Sequence, residues 1–407
     1  MTTHLGDSFS RRRRIALILT LGLLTGLGPF TIDLYLPAFP AVKAGFGLTD
    51  GQIQITLSAT TLGFALGQLI VGPLSDRFGR RVPLITMTAL HVVSSVLVAL
   101  APSLWFLSGM RLLQGIGAAG GAVVAMAMAR DLFSGSSLLR MMSRLALISG
   151  LAPIIAPLIG SWLVGFMPWQ GLFWLLAAYG SLIVALTFLV IVETRPPHER
   201  TVGGLAPIVA GYRTVLTDRT YVGALLTVTF TFSGLFAYVS SSSELFQEVY
   251  GLDPGQFGAV FAVCSFGVFI GVQTSSRISA RIGPPRVLMM ATTLLVLASG
   301  SIVLIATNLD SYLALVPAIF CFTLGFGAVM PSSNVTALAK HRKNSGVAAS
   351  LIGASNMFAA AITGLVVGAF PITSAIPMGT IMAVSACLAM LSLWVVLRPR
   401  TAHVPMD

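Results

Sequence analysis

The chain has 407 residues, 56% of them hydrophobic and 9% charged, with 24 Lys and Arg against 13 Asp and Glu and a formal net charge of +11. A soluble domain carries about 25% charged residues, so a chain this apolar takes the bilayer as its main solvent. A self-contained nucleoside triphosphatase is excluded as well, because its phosphate-cradling loop needs Gly-Lys-Ser/Thr and none of Lys43, Lys340 and Lys343 follows a glycine.

A hydrocarbon core about 30 Å thick is crossed by roughly 20 apolar residues, and the sequence predicts twelve such spans. The first, 15–36, follows Arg11 to Arg14. Its basic flank is like that of a secretory signal, but the apolar run is too long and lacks a small-residue cleavage site, so it is expected to be a retained helix. The second, 52–72, carries Gln54, Ser58, Thr61, Ala65, Gln68 and Gly72 at intervals of three or four, one face of a helix. Lining a cavity and packing against another helix both remain open for that face. The third, 82–101, contains His91, taken as a satisfied interior histidine and not a proton relay. The fourth, 104–129, holds Arg111 and the small residues Gly115, Ala118, Ala119 and Ala122, which favour helix packing. The fifth, 138–164, contains Pro153 and Pro157, which free backbone carbonyls and predict a bend, and the sixth is 169–192. The second set runs 220–241, 256–277, 286–306, 312–337, 346–370 and 375–397. There Ser240 to Ser243, Asn334 and Asn356 are candidate hydrogen-bonding groups for a substrate.

Charge tests this order. Loops on the cytoplasmic side of a membrane are enriched in Lys and Arg, and with a cytoplasmic amino terminus that side collects 22 of the 24 cations and seven acids, a net +15. The opposite side holds Lys43 against Asp50, Glu244, Glu248, Asp253 and Asp310, a net −4. Asp33 and Arg111 remain inside spans. Both termini are therefore expected in the cytoplasm, and the basic excess belongs to membrane loops rather than to nucleic-acid binding.

The polar stretch with Pro196, Pro197, Gly203, Gly204 and Pro207 divides the spans six and six. The expected organisation is an amino-terminal six-helix bundle over 1–192, a cytoplasmic linker over 193–219, and a carboxy-terminal six-helix bundle with a short cytoplasmic tail over 220–407. Asp76-Arg77-Phe78-Gly79-Arg80 has a partial echo 204 residues later in Ala280-Arg281-Ile282-Gly283-Pro284. Two repeated halves with a site between them at the membrane midplane form a recurrent transporter architecture. The histidines His4, His91, His198, His341 and His403 and the cysteines Cys264, Cys321 and Cys387 stand singly, without the grouping that a metal site requires.

Four stretches together resemble the major facilitator superfamily. Gly72-Pro73-Leu74-Ser75-Asp76-Arg77-Phe78-Gly79-Arg80-Arg81 is similar to its signature loop between helices 2 and 3, and Arg111-Leu112-Leu113-Gln114-Gly115 to its Arg-x-x-Gln-Gly element in helix 4. Gly150-Leu151-Ala152-Pro153 through Ala156-Pro157-Leu158-Ile159-Gly160 resembles the helix 5 motif of antiporters, departing from it at Ala156 and Ser161. Asp33-Leu34-Tyr35-Leu36-Pro37-Ala38-Phe39-Pro40 is similar to the branch that exports bicyclomycin, chloramphenicol and florfenicol. The resemblance implies an all-α polytopic fold of twelve transmembrane helices. It also implies that Asp76 meets Arg130 and the amino terminus of helix 11 near Ser345, locking an outward-facing state.

A carboxylate inside a span costs several kcal/mol unless it faces water or a partner. Asp33 lies near the outer end of helix 1, where an interfacial residue needs no function; pairing with Arg111 favours a proton-coupling role for both. Candidate cavity residues are Tyr35, Gln54, Ser58, Thr61, Gln114, Asn334 and Asn356. Candidate gating residues are Gly72, Asp76, Arg77, Gly79, Arg80 and Arg130, and Gly150, Pro153, Pro157 and Gly160 carry the antiporter motif. The expectation is a monomeric multi-pass protein of a bacterial cytoplasmic membrane, with no cofactor, that exchanges external protons for an amphipathic drug. A proton-coupled nutrient importer is the first alternative. A non-transporting membrane sensor or membrane-embedded enzyme is the second.

Overall fold

The computed structural model describes residues 9–200, 205–309, 311–341 and 345–399. His4, Gly203, Gly204, Asp310, Lys343 and His403, named above, lie outside the described residues, as do some of the charges counted for the cytoplasmic side. Among the described residues the chain is helical, with no β-strand. In order come α1 (Arg11–Asp33), a 3-10 turn (Leu36–Ala38), α2 (Phe39–Phe46), α3 (Asp50–Phe78), α4 (Arg81–Ala99), α5 (Leu104–Leu132), α6 (Gly135–Val164) and α7 (Gln170–Val190). They are followed by α8 (Leu205–Leu216), α9 (Arg219–Ser243), α10 (Pro254–Ile282), α11 (Pro284–Asn308), α12 (Tyr312–Leu338), α13 (Ser345–Gly368) and α14 (Ile376–Leu391). Twelve of these helical segments are long and apolar enough to cross a membrane. All twelve predicted spans have a counterpart.

The ends differ, for identifiable reasons. The second span runs on to Phe78, so most of the Gly72–Arg81 stretch is helix rather than loop; Arg77 in the last turn suits the negative end of the helix dipole. The seventh continues past Ser243 into a π-helical turn, Glu244–Val249, and the twelfth ends in another, Ser392–Leu397. Part of the expected linker is ordered as helix α8. Elsewhere the ends follow capping chemistry: Asp253 and Gln256 form a reciprocal capping box at α10, Asp218 accepts the Thr220 N–H at α9, and Gly47 closes α2 at φ 64°. The surface is apolar, as a lipid-facing surface must be: Leu189 is 83% exposed and Trp105 73%.

By contacts the chain divides into two compact units, residues 1–35 with 59–204, and residues 36–58 with 205–407. In the first unit backbones approach at glycine. A side chain on Gly63 would run into the Leu112 carbonyl of α5, one on Gly67 would lie 2.7 Å from the Ile116 carbonyl oxygen, and one on Gly115 would press on Thr60 of α3. Gly117 abuts α4 and Gly121 abuts α1 in the same way. The small residues of the fourth span therefore serve packing, except Ala122, which is exposed.

The second unit repeats the device in the same register. Gly267 and Gly271 of α10 lie 204 residues after Gly63 and Gly67, and a side chain on either would meet α12, at Phe320 and Ala328 among others. The helices that carry these pairs, α3 and α10, are both 29 residues long. The faint echo at Arg77 and Gly79 thus belongs to a longer repeat, whose strongest marks are glycines.

Lipid chains give two helices little hydrophobic reason to associate, so close packing at small residues carries much of the stability. Gly63→Ala should destabilise the purified protein by about 2 kcal/mol or more, since overpacking typically costs 1–3. Gly72→Ala, with nothing within 4 Å of the new methyl, should leave it unchanged. Thermal unfolding in detergent checks both; equal melting temperatures for the two variants would remove the packing argument.

Candidate functional site

The signature segment is built around a carboxylate that sequence reasoning counted only as loop charge. Glu193, after α7, accepts the N–H groups of Arg80 (2.8 Å), Arg81 (3.2 Å) and Arg195 (3.0 Å). Gly79 turns the chain at φ 91°, and any side chain there would lie 2.5 Å from the Glu193 carboxylate. Glycine is required on both counts. Burial alone would raise the Glu193 carboxyl, but these three amides and the Arg200 guanidinium hold it below its ordinary value.

Arg80 then ties α3 to α5. Its Nη1 donates to Asp76 Oδ1 (2.7 Å) and Ser75 Oγ (2.8 Å), and its Nε donates to Asp131 Oδ2 (3.0 Å). Arg195 donates to the same oxygen of Asp76, and Thr194 to the same oxygen of Asp131. The expected pair of Asp76 with Arg130 is absent: Arg130 is exposed, and Asp76 is held by Arg80 and Arg195. The reason is local, because Arg80 reaches the neighbouring Asp131 instead. Arg77 is exposed and lies over Phe78 at 5.4 Å, while Gly72 is sterically unconstrained.

A second polar centre lies inside the same unit. Arg111 is fully buried on α5, and its Nη1 donates to the Thr31 carbonyl of α1 (3.0 Å) and to Gln114 Oε1 (2.8 Å). Gln114 donates onward to Ser95 Oγ (2.7 Å). The guanidinium lies over the rings of Tyr35 (4.6 Å) and Phe173 (5.5 Å), and its Nε and Nη2 have no hydrogen-bond partner. Cation–π attraction replaces a counter-ion.

Asp33 is also buried, at 7% exposure, but it forms no ion pair with Arg111. Two residues along a helix turn the side chain through about 200°, so the face that brings Thr31 to α4 and α5 points Asp33 elsewhere. The expected pairing is corrected accordingly. Thr31 Oγ1 donates to the Leu27 carbonyl and lies 3.0 Å from His91 Nε2, so His91 belongs to the packed interior. Gly180 approaches its ring from α7.

Thr61 is buried on α3, and the antiporter-motif residues lie within α6. Pro153 and Pro157 sit within one continuous helix whose buried face includes Ala152, Ala156, Pro157 and Gly160, while Gly150 is half-buried. Ala156 and Ser161, where the sequence departs from the motif, share that buried face.

In the second unit Gln54 and Ser58 are buried. Gln54 Nε2 donates to the Ser240 carbonyl (2.9 Å) and to Glu244 Oε2 (3.1 Å), and Gly364 of α13 abuts Ser58. Asn356 accepts from Thr229 Oγ1 of α9 (3.2 Å), and Asn334 is half-buried on α12. Glu244 corrects the sequence reading that Asp33 is the sole acid inside a span: it is 1% exposed and falls within the Arg219–Val249 segment. The available signal was the apolar Leu245 and Phe246 beyond it, which prolong the run past residue 241.

The Glu193 geometry makes a prediction about pH. Because its carboxyl is held below the ordinary 4.5, its contribution to stability is complete above that value and lost as pH falls through the lower value of the folded chain. Glu193→Ala should therefore melt below wild type at neutral pH. The gap should close on acidification, as followed by scanning fluorimetry in detergent; a gap independent of pH would mean that the carboxylate charge is immaterial.

Comparison with known proteins agrees with this architecture. Residues 21–364 match the family model described as Major Facilitator Superfamily. The chain is 34% identical over 395 residues to an uncharacterized MFS-type transporter, YdgK, of Bacillus subtilis (strain 168), covering 96% of this chain and 98% of the relative. It is 31% identical over 363 residues to a bicyclomycin resistance protein homolog of Haemophilus influenzae, covering 89% and 91%. Among solved structures, a D-xylose-proton symporter superposes with a TM-score of 0.75 at 13% identity, over 96% of this chain and all of that one. The twelve spans, the glycine-packed repeat and a match to the family over most of the length place this chain in the major facilitator superfamily, as a multi-pass membrane transporter.

Proposed function

We propose that the chain is an efflux transporter that exchanges external protons for an amphipathic antibiotic by alternating access, with Asp33 carrying the proton. The observation that carries this reading is a carboxylate buried at the end of α1 with no ion-pair partner among the described residues. Such a group is costly as an anion and inexpensive as an acid, so its charge changes with the side of the membrane to which it is open. Arg111 is a positioning residue: it fixes the Thr31 carbonyl one half-turn before Asp33 and so holds that end of α1 against α5. The small-molecule class is supported by the relative whose name associates it with bicyclomycin resistance.

The charge sorting supports the orientation, with the Glu193–Arg80 network and both termini in the cytoplasm of a bacterium. In that orientation Asp76, held by Arg80 and Arg195, is a gating group whose release accompanies the change of state. The driving force is adequate: each charge crossing 100 mV is worth about 2.3 kcal/mol, so one proton per neutral drug sustains a gradient of roughly fifty-fold.

Expression in a pump-deficient bacterial host, tested against bicyclomycin, phenicols and other amphipathic antibiotics, gives direction and class together. Wild type should raise the inhibitory concentration of at least one of them. Asp33→Asn, expressed to the same level, should return the host to its baseline. A host sensitised by the chain would indicate import, and full resistance with Asp33→Asn would remove that residue from the coupling.

A further inference from the structure

The first turn of the π-helical segment after α9 carries a second buried acid in surroundings that leave it poorly compensated. Gln54 Nε2 is drawn to two acceptors, the Ser240 carbonyl and Glu244 Oε2. Because the amide nitrogen must face the Ser240 carbonyl, its orientation is determined, and Gln54 Oε1 is left without a donor. Glu244 Oε1 accepts no hydrogen bond either. Two buried acceptor oxygens on neighbouring side chains have no protein donor, which buried oxygens normally find.

Charge repeats the imbalance. One ammonium, Lys43 of α2, serves three carboxylates: it pairs with Asp50, lies 2.7 Å from Glu248 Oε2, and stands 3.9 Å from Glu244 Oε1. Asp50 and Glu248 are 31% and 39% exposed and share their charge with water, whereas Glu244 is 1% exposed. The remaining neighbours add no cation. Helix α13, which approaches through Gly368, has no ionisable residue, and Asp253 at the start of α10 is exposed and caps its own helix.

We infer that Glu244 is a second proton-binding site of the transporter, filled from the side on which Lys43, Asp50 and Glu248 lie. Protonation forms one O–H bond at Glu244 and removes one negative charge from the cluster. It supplies the missing donor and leaves Lys43 to Asp50 and Glu248. Loss of the proton restores the third carboxylate, so the hold of the Lys43–Gln54 segment on α9 depends on the occupancy of this site. The inference deepens the proton-coupled reading above and is independent of the role given to Asp33.

The test is infrared difference spectroscopy of the purified full-length protein in lipid vesicles as the pH is stepped. Wild type and Asp33→Asn should both show a protonated-carboxyl band that Glu244→Gln lacks, and Glu244→Asp should restore a band. Lys43→Gln keeps the acid and removes its only cation, so the band should appear at higher pH than in wild type. An unchanged band in folded Glu244→Gln would overturn the assignment. So would a titration unmoved by Lys43→Gln, which decides the matter even where Glu244→Gln does not fold. Should Asp33→Asn still export drug while the Glu244 band titrates as expected, the Asp33 mechanism fails and this site stands.

Discussion

Moving an ion from water into hydrocarbon is unfavourable by several kcal/mol unless a partner or a water-filled interior receives it. Among the described residues, this chain buries three formally charged side chains within its spans: Asp33, Arg111 and Glu244. Each is treated differently. Arg111 is spread over two aromatic rings and two oxygen acceptors, an arrangement that keeps a cation in place without neutralising it. Glu244 has an ammonium shared with two other acids, and Asp33 has no ion pair. A chain that needed these groups only for folding would gain by replacing them with apolar residues of similar size. The proposed proton exchange rests on the two carboxylates, and Arg111 holds its charge throughout.

The rest of the scaffold keeps those groups in place by a different physical means. Glycines at 63, 67, 115, 117 and 121 let backbones touch in the first unit, and those at 267, 271 and 327 do so in the second. Such contacts let helices pack closely at these crossings without a polar side chain between them. At the Arg80 network the same logic appears outside the spans. There Gly79 brings the backbone against Glu193, whose oxygens organise three amides from two separate segments.

The legible part of the fold was what depends on composition over many residues. Twelve apolar runs follow from the thickness of a bilayer and do not depend on any one side chain. The 204-residue repeat was visible at Arg77 and Gly79, yet its best evidence, Gly63 with Gly267 and Gly67 with Gly271, is ordinary glycine until the contacts are seen. Side-chain partners were less accessible. Asp33 and Arg111 were both expected toward the outer ends of their helices, but helical phase decides whether they face, and the phase turns Asp33 away from the Thr31 contact. Asp76 is held by Arg80 and Arg195 and not by Arg130, partners that the sequence spacing does not single out. Glu244 was placed outside because the polar Ser240 to Glu244 stretch reads as the end of the run, although Leu245 and Phe246 resume it and the helix continues through a π-helical turn.

Proton movement on drug binding tests the central claim most directly. In weakly buffered detergent solution, adding a transported drug to wild type should release protons from a site whose charge is set by Asp33, while Asp33→Asn should bind a neutral drug without releasing them. Release of equal size from both proteins, measured under identical conditions, would contradict the assignment of the coupled proton to Asp33.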